Sequence, residues 1–133
     1  MEYVGQFMRR GAITCSEETN LRDIAQIMVV NRVRYCAVIN QQHEIRGLIS
    51  SDSIVRAFGE DICSVKAKDI LTPDSMVTTT PGTSLTEAIA IMRDRKIEHL
   101  IVVSDRPKSK AVLGILCAKE IVARMANRKE RME

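Results

Sequence analysis

Aromatic side chains are scarce in this 133-residue chain, at 3% of residues, with two Tyr, two Phe and no Trp. Its core must therefore come from Ile, Val, Leu, Met and Ala. Long apolar runs are missing as well. None approaches the roughly 20 residues that cross a bilayer as a helix. The opening Met1-Glu2-Tyr3-Val4-Gly5-Gln6 carries an acid where a secretory leader has basic charge and then a long apolar stretch. These features predict a cytoplasmic protein with no membrane contact. Only two His are present, His43 and His99, and neither has neighbours at metal-ligand spacing. The four cysteines, Cys15, Cys36, Cys63 and Cys117, form no Cys-x-x-Cys pair and read as reduced, mostly buried thiols. No Gly-rich phosphate loop, nucleophile–base pair or metal cluster is visible. The expectation is a protein that is not an enzyme and requires no cofactor. Charge of one sign is not in great excess, at 20 basic against 17 acidic residues. That permits an anionic ligand without demanding nucleic acid. The basic tail Arg128-Lys129 with Arg131 is broken by Glu130 and Glu133, so it reads as a solvated helix end.

What is present is the balance of a globular domain, 45% hydrophobic and 28% charged. It is also written twice. Thr19-Asn-Leu-Arg-Asp-Ile-Ala-Gln-Ile-Met28 matches Thr83-Ser-Leu-Thr-Glu-Ala-Ile-Ala-Ile-Met92 at an offset of 64. Val33–Ile39 then overlies Ile97–Val103. Gly47-Leu-Ile-Ser-Ser-Asp-Ser-Ile-Val55 overlies Gly114-Ile-Leu-Cys-Ala-Lys-Glu-Ile-Val122 at an offset of 67. The extra three residues belong to the loop Ser104–Lys110, and surface loops absorb insertions.

Each copy predicts the same order. A short strand leads, Ala12–Cys15 or Met76–Thr79. A helix follows, with Leu21, Ile24, Ala25 and Met28, or Leu85, Ala88, Ile89 and Met92, on one face. Asn20 with Asp23 and Ser84 with Glu87 supply N-cap signals, the second as a full capping box. Two strands come next, Cys36–Ile39 with Ile45–Ile49, and Leu100–Val103 with Ala111–Leu116. The unbroken apolar runs suit strands covered on both faces. A second helix closes each copy, from about Asp52 to Phe58 before Gly59, and from near Ala118. Glu60–Lys68 reads as a linker. The fold class is thus α/β, with two βαββα repeats at 1–62 and 63–133 forming one compact module with pseudo-twofold symmetry. One copy of about 60 residues buries too little surface to be comfortable alone.

The pattern resembles a tandem pair of cystathionine-β-synthase (CBS) domains, a Bateman module, over roughly Val4 to Met125. Three features carry the resemblance: the helix Asn20–Met28 or Ser84–Met92, the apolar strand after it, and the turn at Gly47-Leu-Ile-Ser50 or Gly114-Ile-Leu-Cys117 with the residues that follow. The resemblance implies a regulatory module that binds an adenosine-containing ligand (AMP, ATP or S-adenosylmethionine) in clefts between the copies. It further implies a homodimer that changes arrangement or acts on a partner protein. The alternative is a ligand-free scaffold that dimerises or docks on a partner enzyme.

Within that resemblance, the turn supplies a Ser or Thr facing phosphate and an Asp holding the ribose hydroxyls. Here Ser50 matches the hydroxyl, Ser53 occupies the Asp position, and Asp52 stands one residue earlier. In the second copy Cys117 replaces the hydroxyl and Glu120 the Asp. Thr78, Thr79, Arg34 and His99 complete the candidate ligand residues, with Ser50 and Asp52 expected to pair with Thr78 and His99. Each also has a plain structural role: N-caps and first-turn acids for Ser50, Asp52, Ser53 and Glu120, strand propensity for the threonines, and a solvated surface position for Arg34 and His99.

Overall fold

The computed structural model describes residues 1–72, 75–106, 109 and 111–127. The tail Arg128–Glu133 and three residues of the Ser104–Lys110 loop (107, 108 and 110) lie outside them. The chain packs as two units. One is built on Ala12–Val77, the other on Met1–Gly11, Thr78–Ser109 and the chain from Leu113.

The Ala12–Val77 unit holds β2 (Thr14–Ser16), α2 (Leu21–Asn31), β3 (Tyr35–Ile39), β4 (Ile45–Ser50), α3 (Ser51–Arg56) and α4 (Ala67–Ile70). Its sheet runs β2-β3-β4, with β2 parallel and β4 antiparallel to β3. Leu21, Ile24 and Met28 bury one face of α2 against Cys15, Cys36, Val38 and Ile49. Burial of β3 from Tyr35 to Val38 agrees with its unbroken apolar run.

The other unit holds α1 (Val4–Phe7), β1 (Arg9–Arg10), β5 (Thr78–Thr79), α5 (Leu85–Arg95), β6 (His99–Val103), β7 (Val112–Cys117) and α6 (Ala118–Ala126). Its strand order is β1-β7-β6-β5. Leu85, Ala88 and Met92 are buried as the helical spacing predicts, whereas Ile89 is 39% exposed. Ile89 thus lies at the rim of the apolar face rather than inside it.

The duplication extends to register. Thr14 pairs with Ala37 and Cys15 with Val38; 64 residues on, Thr78 pairs with Ile101 and Thr79 with Val102. Both long helices carry a side-chain N-cap, Asn20 or Ser84, accepting from the N3 amide. Both end on a left-handed cation, Arg32 and Lys96, each at φ 56. A hydrogen bond from the cap amide to the last turn stabilises that conformation in the Schellman manner.

Element edges shift slightly from the sequence reading. The strands expected at Ala12–Cys15 and Met76–Thr79 are Thr14–Ser16 and Thr78–Thr79. Helix α3 stops at Arg56, because Ala57 leaves helical geometry (φ −89, ψ 5) and its amide turns back to Ile54 and Val55.

The larger difference lies in the segments before each repeat. Glu60–Lys68 is not a plain linker, since its end enters α4, and the residues before Ala12 form α1 and β1. These segments act as straps, and each packs on the start of the helix in the other repeat. In α1, the Val4 and Gly5 amides donate to Thr83 and Pro81 carbonyls (both 2.9 Å), and the Leu85 amide donates to Glu2 (2.8 Å). In α4, the Ala67 amide donates to Thr19 (2.8 Å) and the Leu21 amide to Val65 (2.9 Å). Val4 and Ala67 are both fully buried. The packing units therefore divide the chain differently from the repeat bounds 1–62 and 63–133.

Two equivalent glycines let the straps pass. A Cβ on Gly114 would collide with the Arg9 carbonyl oxygen and lie 3.1 Å from the Arg9 carbonyl carbon. A Cβ on Gly47 would meet Ser75 Oγ at 2.5 Å and Leu71 Cδ2 at 2.8 Å. At Gly114 the glycine is thus required by a close main-chain crossing, whereas at Gly47 the contacts are side-chain ends and the positive φ of 158 is what favours glycine.

Surface charge ties α4 to the β2–α2 turn. Glu18 accepts from Lys66 Nζ (2.7 Å) and Lys68 Nζ (2.8 Å). Lys66 first, and then Lys68, holds the Glu18 carboxyl at about 2, below the usual 4.5. A depressed carboxylate contributes stability above its unfolded pKa and loses it as pH falls through the folded value. Stability is therefore expected to fall more between pH 4.5 and 2 in the native protein than in Glu18→Gln, with the difference shrinking in high salt. Thermal melts across that pH window test this. Parallel curves for the two proteins would contradict it.

Candidate functional site

In the first repeat, Arg34, Ser50, Asp52 and Ser53 converge where β3 starts and β4 turns into α3. Tyr35 pairs with Ser50 across the two strands. The Ser51 amide and hydroxyl both donate to the Arg34 carbonyl, at 3.0 and 3.3 Å. Ser50 caps α3, its Oγ accepting from the Ser53 amide at 3.4 Å and standing 3.3 Å from Ser53 Oγ. The turn thus presents two half-buried hydroxyls, and Asp52 and Arg34 point from exposed positions.

The second repeat builds the same corner from different chemistry. The Ala118 amide donates to the Glu98 carbonyl at 2.9 Å, matching the Ser51–Arg34 tie. This places Cys117 and Glu120 beside the start of β6, where His99 stands. Cys117 forms no side-chain cap bond. Burial lifts its thiol to about 11, the Glu120 carboxylate adds to the rise, and Arg9 and Lys119 oppose it. This corner offers a protonated thiol at neutral pH, where the first offers two hydroxyls.

Thr78 and Thr79 stand on β5, two residues further along the sheet than His99, as the pairing of Thr78 with Ile101 shows. Thr78 is exposed. Thr79 is 6% exposed, and its Oγ1 has no hydrogen-bond partner among the described residues. A buried hydroxyl left unpaired is costly, and such groups call for a partner. The equivalent position in the first repeat is Cys15, which carries no such demand.

Sequence reasoning missed two contributors to these corners. Arg9, on the strap strand β1, reaches Cys117 electrostatically, although it is distant in sequence. The turns from β2 to α2 and from β5 to α5 are closed by the hydroxyl pairs Ser16–Thr19 (3.1 Å) and Thr80–Thr83 (3.0 Å). Thr19 and Thr83 head the repeated helix motif, so a signal for the second was present. Among the described residues no group of three or more metal-ligating side chains occurs, and no helix is long and apolar enough to cross a membrane.

The duplicated parallel–antiparallel strand order, with a capped helix between strands and a glycine-started corner in each copy, defines a tandem-repeat α/β fold. The CBS domain family model matches twice, at residues 4–60 and 67–127, and the chain belongs to that family. Homoserine O-acetyltransferase of Methanohalophilus mahii is 32% identical over 120 residues, which cover 90% of this chain and 24% of that protein. The chain thus spans about a quarter of the length of that relative. Among solved structures, CBSX2 in complex with AMP matches with a TM-score of 0.83 at 20% identity, over 98% of this chain and 100% of that one. The CBS domain pair of protein MJ0100, in complex with 5′-methylthioadenosine and S-adenosyl-L-methionine, matches with a TM-score of 0.83 at 18% identity, over 97% and 99%.

Proposed function

We propose that the two repeats, 1–62 and 63–133, work as one Bateman module that senses an adenosine-containing ligand of the AMP, ATP or S-adenosylmethionine class. The module performs no chemistry and needs no cofactor. It acts by a change of arrangement in a homodimer or on a partner protein. The observation that carries this reading is the Thr79 hydroxyl, more than nine-tenths buried and unpartnered, on a strand where the family resemblance places ligand contacts. Such a group gains a hydrogen bond when a ligand oxygen or nitrogen arrives. Ser50 and Ser53 offer further hydroxyls to a ligand at their corner. The adenosine ligands named in complexes of structurally similar pairs support the class.

Calorimetry and thermal shift with AMP, ATP and S-adenosylmethionine on the full chain test the reading. Binding of at least one is expected, with a melting temperature that rises with ligand concentration. In Thr79→Val, which keeps the shape and drops the hydroxyl, affinity falls about tenfold if one hydrogen bond of about 1.4 kcal/mol is lost. No response to any of the three at millimolar concentration would refute it.

The dimer surface is carried by equivalent helix ends. Val55 (70% exposed) and Phe58 (92%) in the first repeat correspond to Val122 (64%) and Met125 (62%) in the second. Each pair lies three residues apart at a helix end, the spacing that groups apolar side chains into a patch suited to an interaction surface. Sedimentation is expected to give a dimer for the native chain and a monomer for Phe58→Glu. Monomers in both cases would remove this surface from the account. Free thiols and the absence of a spanning helix among the described residues support the cytoplasm as the site of action.

A second reading is a ligand-free scaffold docked on a partner enzyme. Cys117 in place of a hydroxyl and Ser53 in place of an acid favour it. Failure of all three ligands together with copurification of one stoichiometric partner would establish it.

A further inference from the structure

We propose that Cys15 and Cys36 form a peroxide-responsive dithiol that closes to a reversible disulfide inside the Ala12–Val77 unit. Strand register brings the two together. Cys15 pairs with Val38 on the parallel β2–β3 ladder, and Cys36 lies two residues before Val38. Alternation along a strand puts both side chains on one face as diagonal neighbours. They share one apolar cluster with Leu21, Ile24, Met28 and Ile49. The two thiols face each other closely enough to shift one another's titration.

The pair is polarised. The Cys36 hydrogen bond holds the Cys15 thiol below its ordinary range, against the pull of burial. The Cys36 thiol is pushed far up, as the donor to Cys15 and by burial. The thiolate is the nucleophilic form, so Cys15 attacks and Cys36 resolves. Access also favours Cys15. It lies on β2, the edge strand of the three-stranded sheet, and keeps 7% exposure, whereas Cys36 is wholly buried.

The oxidant is a peroxide, taken here as hydrogen peroxide. The Cys15 sulfur attacks one peroxide oxygen, the O–O bond breaks, and the second oxygen leaves as water with the thiol proton. Cys15 is then a sulfenic acid. The Cys36 sulfur attacks the Cys15 sulfur, the S–O bond breaks, and that oxygen leaves as a second water with the Cys36 proton. Two thiols and one peroxide give one disulfide and two waters.

Diagonal strand neighbours have Cα atoms about 7–8 Å apart, beyond the usual disulfide span of about 4.4–6.8 Å. The paired strands already lie about 4.8 Å apart, so closure must slide β2 along β3 and disturb their ladder, and a strained disulfide is more easily reduced. The oxidised module is less stable than the reduced one and reverts with dithiothreitol.

The test uses the full chain carrying Cys63→Ser, which removes the exposed thiol. After hydrogen peroxide, the intact mass is expected to fall by two hydrogens. Thiol titration in denaturant should lose two of the three remaining groups, the melting temperature should drop, and dithiothreitol should restore all three readings. Further substitution Cys36→Ser should leave a dimedone-reactive sulfenic acid at Cys15. The mass and thiol readings need only the Cys63→Ser protein, so they stand even if the second variant fails to fold. An unchanged mass and thiol count under peroxide that fully oxidises free dithiothreitol would overturn the proposal. So would oxidation to a disulfide that mass mapping assigns to Cys117.

Discussion

Gly114→Ala is expected to unfold the unit that carries the second repeat, with a loss of about 3 kcal/mol or more, because the clash is with main chain. The new Cβ would overlap the Arg9 carbonyl oxygen and press on Arg10 Cα at 3.4 Å. Strand β1 cannot retreat without losing its pairing, Arg9 with Ile115 and Arg10 with Gly114. The Gly11 amide bond to the Leu113 carbonyl (2.9 Å) anchors the strand just beyond. Gly47→Ala is the matched variant. Its Cβ would meet only the side-chain ends of Ser75 and Leu71, but the positive φ of Gly47 (158) strains any L residue, so a cost of about 1–3 kcal/mol is expected from the backbone. Denaturant titrations of both variants decide this. A cost below about 1 kcal/mol at Gly114 would show that the strap crossing does not fix that glycine.

Removal of Met1–Gly11 is expected to have an effect of similar or greater size, on the second repeat rather than the first. The deletion exposes the pocket of fully buried Val4, whose burial is worth about 1.5–3 kcal/mol. It also strands the amide of Leu85 and the carbonyls of Pro81, Thr83 and Leu113, each bond contributing about 1 kcal/mol. Arg124 loses the Gln6 carbonyl, to which it donates at 2.5 Å, and the Phe7 ring, 5.2 Å from its guanidinium carbon. The sum rivals the whole stability of a small domain. Hydrogen exchange should show lost protection in β7 and the first turn of α5, with β3 and β4 unchanged. Loss of protection in β3 and β4 first would assign the N-terminal strap to the wrong repeat.

Both predictions rest on contacts that sequence order obscures. The strap before the first repeat shows faint apolar spacing, Val4, Phe7 and Met8, as does Ala67, Ile70 and Leu71 before the second. Each run is one helical turn long, too short for periodicity to distinguish it from a linker. The corners were easier to anticipate. Ser50 as cap and Ser53 at N3 follow from residue type and position alone, and both appear there. The missing partner of Thr79 was not readable. Strand propensity explains a threonine equally well whether or not its hydroxyl is satisfied, and only the packed neighbours show that it is not. The same holds for Cys15 and Cys36, which are 21 positions apart and look like unrelated apolar fillers until strand register aligns them.

The chain alone determined the duplication, the element order and the faces of the two long helices, because hydrophobic period, caps and offsets are local and repeat at 64 and 67 residues. Tertiary structure alone decided which repeat each strap serves, why Gly47 and Gly114 lack side chains, and which polar groups remain unpaired. These depend on chain crossings and on hydrogen-bond partners far apart in sequence, and no local pattern encodes them.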